Sequence, residues 1–297
     1  MEASIIVDGF KKSMDMYNVK YSKMIGDGDS NVYKQILDSR PYDDLTVQKV
    51  ECKNHLLRNM CNKLKDLTRA SKYGNINLRK KIGSSILRIR SGVNSAIRFR
   101  KNSTESPEEK IKNLRKDIMN APYHVFGEHE NCDKYFCTET GNSMSSVTLL
   151  KESGLFYNIM AILQNLSDNA RSLLFDATNN VAESYNSVIA KFIGGKRINF
   201  CKSNSYKTRC NAAALSFNTP LPTSKLHHVM YKCSPGRNLK AFQQRRIATR
   251  KATQKHRNKC SRKRLFSSTT KKDDSYGEHA VKPDLNIIEF MEKKEIF

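Results

Sequence analysis

The sequence predicts an α+β fold that is mainly helical, and three observations lead to this prediction. Apolar residues recur every three or four positions along most of the chain, which is the spacing of one helix face. Two short segments, 19–25 and 45–52, carry the apolar and β-branched pattern of strands. Helical patterns precede, separate and follow these strands, so the first seventy residues predict the order α-β-α-β-α.

Local signals justify each element in order. An amphipathic helix over 3–17 precedes the first strand, which ends in a tight turn at 26–29, and a helix starts near Ser30. Pro41 ends that helix, and the second strand leads directly into a helix with leucines along one face. Beyond residue 70 the pattern predicts helices within 75–102, 108–119, 156–166 and 181–193, a break at 103–107 and a loop-like region at 121–145.

The composition points to a polyanionic partner. The chain has 297 residues, with 53 Lys and Arg against 29 Asp and Glu, which gives a formal net charge of +24. Nucleic acid fits this charge better than a membrane surface, because no basic amphipathic helix with bulky apolar anchors is evident. No apolar run is long enough to span a membrane, and the N-terminus lacks the apolar region of a signal peptide. The eight cysteines are therefore expected to be buried thiols or metal ligands.

Asp27 follows the first predicted strand, within Gly-Asp-Gly-Asp-Ser at 26–30. A carboxylate at a strand end is held rigidly at the edge of a sheet, where it can bind a metal. The same residues also suit a simple turn followed by an N-cap from Asp29 or Ser30. A calcium loop is a poorer fit, because Val32 stands where that loop needs glycine.

Cys52 and His55 lie at the junction between the second strand and the following helix. A Cys-x2-His pair can supply half of a zinc site. Equally, Cys52 can be a buried apolar thiol and His55 a residue at a helix start.

Glu183 lies in Thr-Asn-Asn-Val-Ala-Glu-Ser-Tyr-Asn-Ser at 178–187. Helical spacing places Glu183 and Asn186 on a small, polar face, opposite the apolar residues Tyr185 and Phe192. A metal or a phosphate can approach such a face. A capping box, with Asn180 as N-cap and Glu183 reaching back to its amide, explains the same spacing.

A Cys/His cluster lies in the loop-like region. Its four members fall within fourteen positions, which suits a tetrahedral structural zinc, although buried thiols remain the alternative. They are His124, His129, Cys132 and Cys137.

Taken in order, these motifs resemble the Mutator-like element transposases. The resemblance rests on Asp27 in GDGDS, then the Cys52–His55 pair, then a helical insertion and Glu183 in TNNxAExxN, and it covers roughly residues 1–218. It implies an RNase H-like core in which Asp27 is the second catalytic aspartate and Glu183 the final glutamate. These would hold Mg²⁺ or Mn²⁺ for the cutting and joining of transposon DNA ends.

The resemblance also suggests roles for the remaining motif residues. Cys52 and His55 would shape the site or bind zinc, and Asn186 would orient Glu183. The family has a similar His/Cys-rich stretch in its insertion, which supports structural Zn²⁺ there.

The resemblance divides the chain into four expected segments. These are a partial RNase H-like core, a helical insertion with the Cys/His cluster, a return to the core with the catalytic-type helix, and a basic, partly disordered tail: 1–70, 71–170, 171–220 and 221–297. The family carries its first aspartate upstream of the helix that residues 1–17 resemble. We therefore expect a truncated core without that aspartate, and little or no transposition by this chain alone.

The motifs and the resemblance lead to three hypotheses about this protein. The first is a cut-and-paste DNA transposase, as an inactive fragment, with double-stranded transposon ends as its partner and a homo-oligomer as its assembly. The second is a non-catalytic nuclear DNA-binding protein derived from a transposon, because the basic run at 245–264 is typical of a nuclear localisation signal or a phosphate-binding arm. The third is a decayed product that folds poorly, since a two-stranded sheet leaves an exposed edge.

Overall fold

The computed structural model describes residues 2–28, 30–70, 75–137, 145–195, 200 and 204–260. Helices dominate this part of the chain and one parallel pair of strands accompanies them, which confirms the predicted mainly helical α+β class. The described chain forms two compact units, 1–179 and one that starts at Asn180. No described helix has both the length and the apolar character needed to cross a membrane.

The N-terminal part of the first unit is a small α/β arrangement. Its elements are α1 (Glu2–Lys11), α2 (Ser13–Tyr17), β1 (Lys23–Gly26), α3 (Ser30–Ser39) and β2 (Gln48–Glu51). β1 and β2 pair in parallel, with Lys23 opposite Gln48 and Gly26 opposite Glu51. Ile36 of α3, Val47 and Phe10 are buried in a small core, which fixes α1 and α3 to the strand pair.

Six further helices build the rest of the first unit. They are α4 (Lys53–Arg69), α5 (Ile76–Asn102), α6 (Pro107–Phe126), α7 (Val147–Glu152), α8 (Leu155–Ser167) and α9 (Ala170–Leu174). One continuous hydrophobic core joins them, because each contributes a leucine, isoleucine or valine that is almost completely buried. α5 has 27 residues and is therefore about 40 Å long at the usual helical rise.

The second unit contains four helices. They are α10 (Asn180–Phe192), α11 (Ser205–Asn218), α12 (Pro222–Tyr231) and α13 (Arg237–Cys260). Among its described side chains, 180–195, 200 and 204–256, the buried ones are Ala213, Pro235 and Gln243. The apolar faces of these helices are therefore mostly half-exposed.

Several boundaries differ from the sequence prediction. The expected loop at 121–145 is wrong for 121–126, because α6 runs on to Phe126 through Pro122. A proline inside a helix costs about 3 kcal/mol, but Ala121, Val125 and Phe126 are all buried in the core and offset that cost. Both strands are shorter than expected, and the helix expected at 3–17 is divided at Lys12.

The sequence predicts that the basic segment beyond Gly236 is disordered or loosely helical, and the described part of this segment is helical. Its described part, Arg237–Cys260, is one continuous helix. Lysine, arginine, glutamine and alanine dominate it, and all four have high helix propensity. Residues 261–297, which include the end of the predicted localisation signal, lie outside the described residues.

Candidate functional site

Two residues singled out from the sequence meet at the carboxyl ends of the parallel strands. Asp27 follows β1 directly, and Cys52 follows β2 directly, with the Cys52 amide donating a hydrogen bond of 2.7 Å to the carbonyl of Gly26. His55, in the first turn of α4, places Nδ1 4.0 Å from Oδ2 of Asp27. The Asp27 side chain is 31% exposed and that of His55 is 12% exposed. Asp27 is thus a fixed carboxylate that solvent and ions can reach. Asp29 lies outside the described residues.

Cys52 also contacts the segment that leads into α10. Its Sγ donates a hydrogen bond of 3.1 Å to Oδ1 of Asn179. Asn179 belongs to the same Thr-Asn-Asn stretch that carries Glu183 further along. The part of this stretch that belongs to the first unit, which ends at Asn179, is therefore anchored at the edge of the strand pair.

We call residues 176–179 the strap, and a second set of contacts holds it in place. The Lys53 amide donates to the carbonyl of Ala177 over 2.9 Å, and Lys53 Nζ binds the carboxylate of Asp176. Lys101 Nζ from α5 lies 3.4 Å from the other oxygen of Asp176. Burial tends to raise the pKa of Asp176, but the hydrogen bond and charge of Lys53, together with Lys101, lower that pKa below its usual value. No local sequence pattern marks this strap, because its partners are far apart in the chain.

Glu183 and Asn186 lie on the exposed face of α10, in the second unit. Tyr185 and Phe192 are half-buried on the other face, and the Tyr185 ring lies 5.3 Å from that of Phe217 in α11. This division of the helix agrees with its predicted faces. α10 begins at Asn180, and Glu183 lies in its first turn.

The four residues of the Cys/His cluster converge in space. Their ligand atoms all lie within 4.8 Å of one another. Nδ1 of His124 lies 3.2 Å from Nδ1 of His129 and 3.5 Å from Sγ of Cys132, and Sγ of Cys137 lies 3.4 Å from Nδ1 of His129. A tetrahedral zinc with its usual bond lengths separates two nitrogens by about 3.3 Å and a nitrogen from a sulfur by about 3.5 Å. The four ligand types and the distances between their ligand atoms therefore fit one zinc ion.

The local backbone explains how these four residues come together. Gly127 ends α6 in the left-handed conformation, with φ of 99°, and this reverses the chain just after His124. In the turn that follows, the Cys132 amide donates a hydrogen bond of 3.0 Å to the carbonyl of His129. In a second turn, the Cys137 amide donates a hydrogen bond of 3.2 Å to the carbonyl of Asp133. Burial raises the pKa of the Cys132 thiol.

A buried ion network that the sequence did not reveal supports this loop. Arg100 of α5 donates to both oxygens of Asp117, at 2.7 and 3.1 Å, and also binds Asp133 between the two cysteines. Tyr135 donates to Asp117 at 2.5 Å and stacks on Phe99 with ring centroids 3.7 Å apart. The hydrogen bonds with Asp117 raise the pKa of Arg100, so this guanidinium stays charged.

The exposed face of α5 carries positive charge and no acidic residue. Lys80, Arg88 and Arg98 lie within one 80° sector of the helix and are all exposed. Small polar residues separate them on the same sector: Ser84, Ser91 and Ser95. Lys80 and Arg98 are about 27 Å apart along the axis. We call this surface the α5 stripe.

Comparison with known proteins identifies one family. Residues 1–137 match the Mutator-like transposase family. This range contains β1, β2, Asp27, the Cys52–His55 pair, the α5 stripe and the whole Cys/His cluster. No curated protein and no solved structure matches the chain.

Proposed function

We propose that this chain, which carries a Mutator-like transposase domain over residues 1–137, acts on duplex DNA as the carboxylate-bearing part of a transposase. The convergence of three separate motifs at one strand edge supports this proposal. Asp27, the Cys52–His55 pair and Asn179 come from distant parts of the sequence, yet they meet where β1 and β2 end. A rigid carboxylate at such an edge can bind a divalent cation through its oxygens.

Asp27 and Glu183 are the residues that would hold Mg²⁺ or Mn²⁺. Both side chains are accessible, and carboxylate oxygens are the ligands that these ions prefer. A bound divalent pair activates the attacking oxygen and stabilises the leaving oxygen in DNA cleavage. His55 positions Asp27, Cys52 fixes the strap through Asn179, and Asn186 orients Glu183.

The Cys/His cluster has a structural role in this proposal. His124, His129, Cys132 and Cys137 would hold one Zn²⁺ as a closed site with no open position for substrate, which is typical of structural zinc. The ion would tie the end of α6 to the loop that follows it.

The α5 stripe is the surface that would contact the DNA backbone. Its cations can neutralise phosphates, and the serines between them let a phosphate approach the helix closely. The stripe also supports a second function, that of a non-catalytic nuclear DNA-binding protein, because this surface does not depend on Asp27. Nuclear localisation through the basic run at 245–264, and a homo-oligomer that pairs two transposon ends, are further parts of the proposal.

A strand-cleavage assay with Mn²⁺ on duplex DNA separates the two functions. We expect the chain to bind duplex DNA, and we expect any cutting to depend on Asp27 and Glu183. The matched variants are Asp27→Ala, Glu183→Ala and the exposed control Asp38→Ala. Robust cutting that both site variants abolish would show a complete catalytic site. Cutting that survives Asp27→Ala would contradict the proposed role of that residue.

DNA binding is tested through its salt dependence. The triple variant Lys80→Glu, Arg88→Glu, Arg98→Glu should lower affinity at least tenfold and reduce the slope of log K against log salt by about one for each lost phosphate contact. The control variant makes the same charge change at three exposed residues of α6, which are replaced by glutamate: Lys112, Arg115 and Lys116. Equal losses in both triple variants would show that net charge, and not the α5 stripe, accounts for binding.

A further inference from the structure

A stacked aromatic pair with one open face lies beside the α5 stripe. Phe99 of α5 and Tyr135, in the loop after α6, have nearly parallel rings, with centroids 3.7 Å apart and an angle of 2° between their planes. Phe99 is nevertheless 41% exposed. Because Tyr135 covers one face of the Phe99 ring, this exposure belongs mainly to the other face. The pair therefore presents a flat, apolar surface to solvent.

Contacts around Tyr135 hold the pair in one orientation. The Tyr135 hydroxyl donates a hydrogen bond of 2.5 Å to Asp117, and its ring meets that of Phe136 at an angle of 73°. The guanidinium of Arg100 lies 5.2 Å from the ring centroids of both Phe99 and Tyr135. Burial and the hydrogen bond to Asp117 raise the pKa of Tyr135, so its hydroxyl stays protonated and keeps this contact. The open face of Phe99 is thus preorganised for a flat ligand.

The open face lies at one end of a positively charged surface. Phe99 directly follows Arg98, the last cation of the α5 stripe, and lies about 20° beyond the sector of the helix that contains the stripe. Lys134, which precedes Tyr135, is also exposed. Two exposed cations are therefore next to the pair in the chain, and the stripe leads from Phe99 along α5 towards Lys80.

The carboxylates of this region are grouped around Arg100. This arginine binds Glu105, Asp117 and Asp133, and it lies about 100° further round α5 than Phe99, on the side away from the stripe. Phe99 therefore separates the cations of the stripe from carboxylates that are already paired. A polyanion is attracted to the stripe side of the Phe99 ring.

A nucleobase is the ligand whose chemistry fits this surface. A single exposed phenylalanine is common on proteins and needs no ligand, but Phe99 is held in a fixed stack beside a row of cations. A base stacks on an aromatic ring through its flat face, and the phosphates of its strand bind cations beside that ring. Bases within a duplex are covered on both faces by their neighbours, so a base that stacks on a protein ring must leave the duplex.

We propose that Phe99 stacks an unpaired nucleobase of a DNA strand whose phosphates lie along the α5 stripe. This inference rests on the proposed contact between the stripe and DNA. It makes that contact selective for DNA in which a paired segment is followed by a single-stranded end.

Two DNA probes of equal charge test the inference with the full chain. Both carry the same duplex of about 20 base pairs and an overhang of about four nucleotides, which are adenine nucleotides in one probe and abasic nucleotides in the other. Fluorescence anisotropy measures the affinities at one fixed salt concentration. We expect the chain to bind the adenine probe at least about fivefold more tightly, because stacking of a base on one aromatic ring contributes this much or more.

Substitutions of Phe99 assign the preference to its ring. Phe99→Leu keeps an apolar side chain but should bind both probes alike, within about twofold, whereas Phe99→Trp should retain the preference. Phe242→Leu is the matched control, because Phe242 of α13 is 49% exposed and has the guanidinium of Arg246 5.7 Å from its ring centroid. This control should keep the preference for the adenine probe. A preference that survives in Phe99→Leu, or that is lost equally in Phe242→Leu, would overturn the inference.

A crosslink locates the base independently of affinity. Iodouracil replaces the bases of the overhang, ultraviolet light joins it to an aromatic ring on which it stacks, and mass spectrometry identifies the joined residue. We expect the main crosslink at Phe99 and its loss in Phe99→Leu. Crosslinks that avoid both Phe99 and Tyr135 would contradict the inference.

The outcomes separate this inference from the proposed DNA contact. If glutamate at Lys80, Arg88 and Arg98 weakens binding of both probes but the wild type binds the two probes equally, the stripe contact stands and base stacking is refuted. If the same triple variant leaves the binding of both probes unchanged, the stripe contact fails and this inference fails with it.

Discussion

Cys52 and Asn179 are 127 positions apart in the sequence, and the thiol of the first donates a 3.1 Å hydrogen bond to the amide oxygen of the second. This contact joins the end of β2, which pairs with the strand that precedes Asp27, to the stretch that leads to Glu183. It explains why a cysteine, and not a larger residue, suits the position directly after β2. Cys52 is fully buried, so its small side chain fills the space between the strand end and the strap.

Loss of one cysteine should remove zinc from the protein. We expect purified wild-type chain to contain about one zinc per molecule and Cys132→Ser to contain close to none, since a serine hydroxyl is a poor zinc ligand. Atomic emission measures the metal content. Cys210→Ser, which changes a half-buried thiol of α11, should retain zinc. A wild-type protein without zinc would refute the metal site.

Gly92 provides a separate test of the loop's packing. A Cβ at this position would lie 2.9 Å from Cζ of Phe136, whose ring packs on His124 with centroids 4.7 Å apart. Alanine usually stabilises a helix by up to about 1 kcal/mol relative to glycine. In Gly92→Ala the clash with Phe136 should cancel this stabilisation and lower Tm. At Gly83 the nearest atom would be 3.8 Å away, so Gly83→Ala should raise Tm. Calorimetry compares the two, and a similar gain in both would contradict the predicted clash.

Removal of the buried Arg100 guanidinium should strongly destabilise the fold. The Arg100 side chain is 6% exposed and binds Asp117, which is 8% exposed, so Arg100→Met leaves a buried carboxylate that has lost its cation and keeps the hydrogen bond from Tyr135. We expect a loss of roughly 3–5 kcal/mol in the free energy of unfolding, measured by urea denaturation. Arg98→Met, on the exposed face of the same helix, should change it by less than about 0.5 kcal/mol. A comparable small effect of Arg100→Met would show that the network contributes little.

The strap should be sensitive to acid. The pKa of Asp176 is lower in the folded state than in the unfolded state. The stabilisation that its carboxylate provides is therefore complete above the unfolded-state pKa, near 4, and is lost as the pH falls through the folded-state pKa. The difference in stability between wild type and Asp176→Asn should be about 1 kcal/mol at pH 6 and should shrink steadily below pH ~4. Asparagine also accepts the positive φ of 55° at this position. Asp43→Asn, at an exposed site, is the control, and an equal pH dependence of stability in both variants would contradict the proposed role of Asp176.

Local patterns account for what the sequence could predict. The helices, both strands and the Cys/His cluster depend on residues within one or two turns or within fourteen positions of each other. The contacts of Asn179 with Cys52 and of Arg100 with Asp133 connect distant segments, and nothing in the local sequence marks their partners. The end of α6 was missed for a related reason, because tertiary burial of Val125 and Phe126 outweighs the local effect of Pro122.

The most direct test of the central claim is to locate the divalent metal on the protein. Fe²⁺ in place of Mg²⁺, with ascorbate and peroxide, generates radicals that cut the backbone next to the bound ion, and mass spectrometry maps the cuts. We expect cleavage close to Asp27, around Cys52–His55 and around Glu183, competed by excess Mg²⁺ and lost in Asp27→Asn. Asp38→Asn should keep the same pattern. Cuts that avoid these three places, or that persist unchanged in Asp27→Asn, would contradict a metal site built on Asp27.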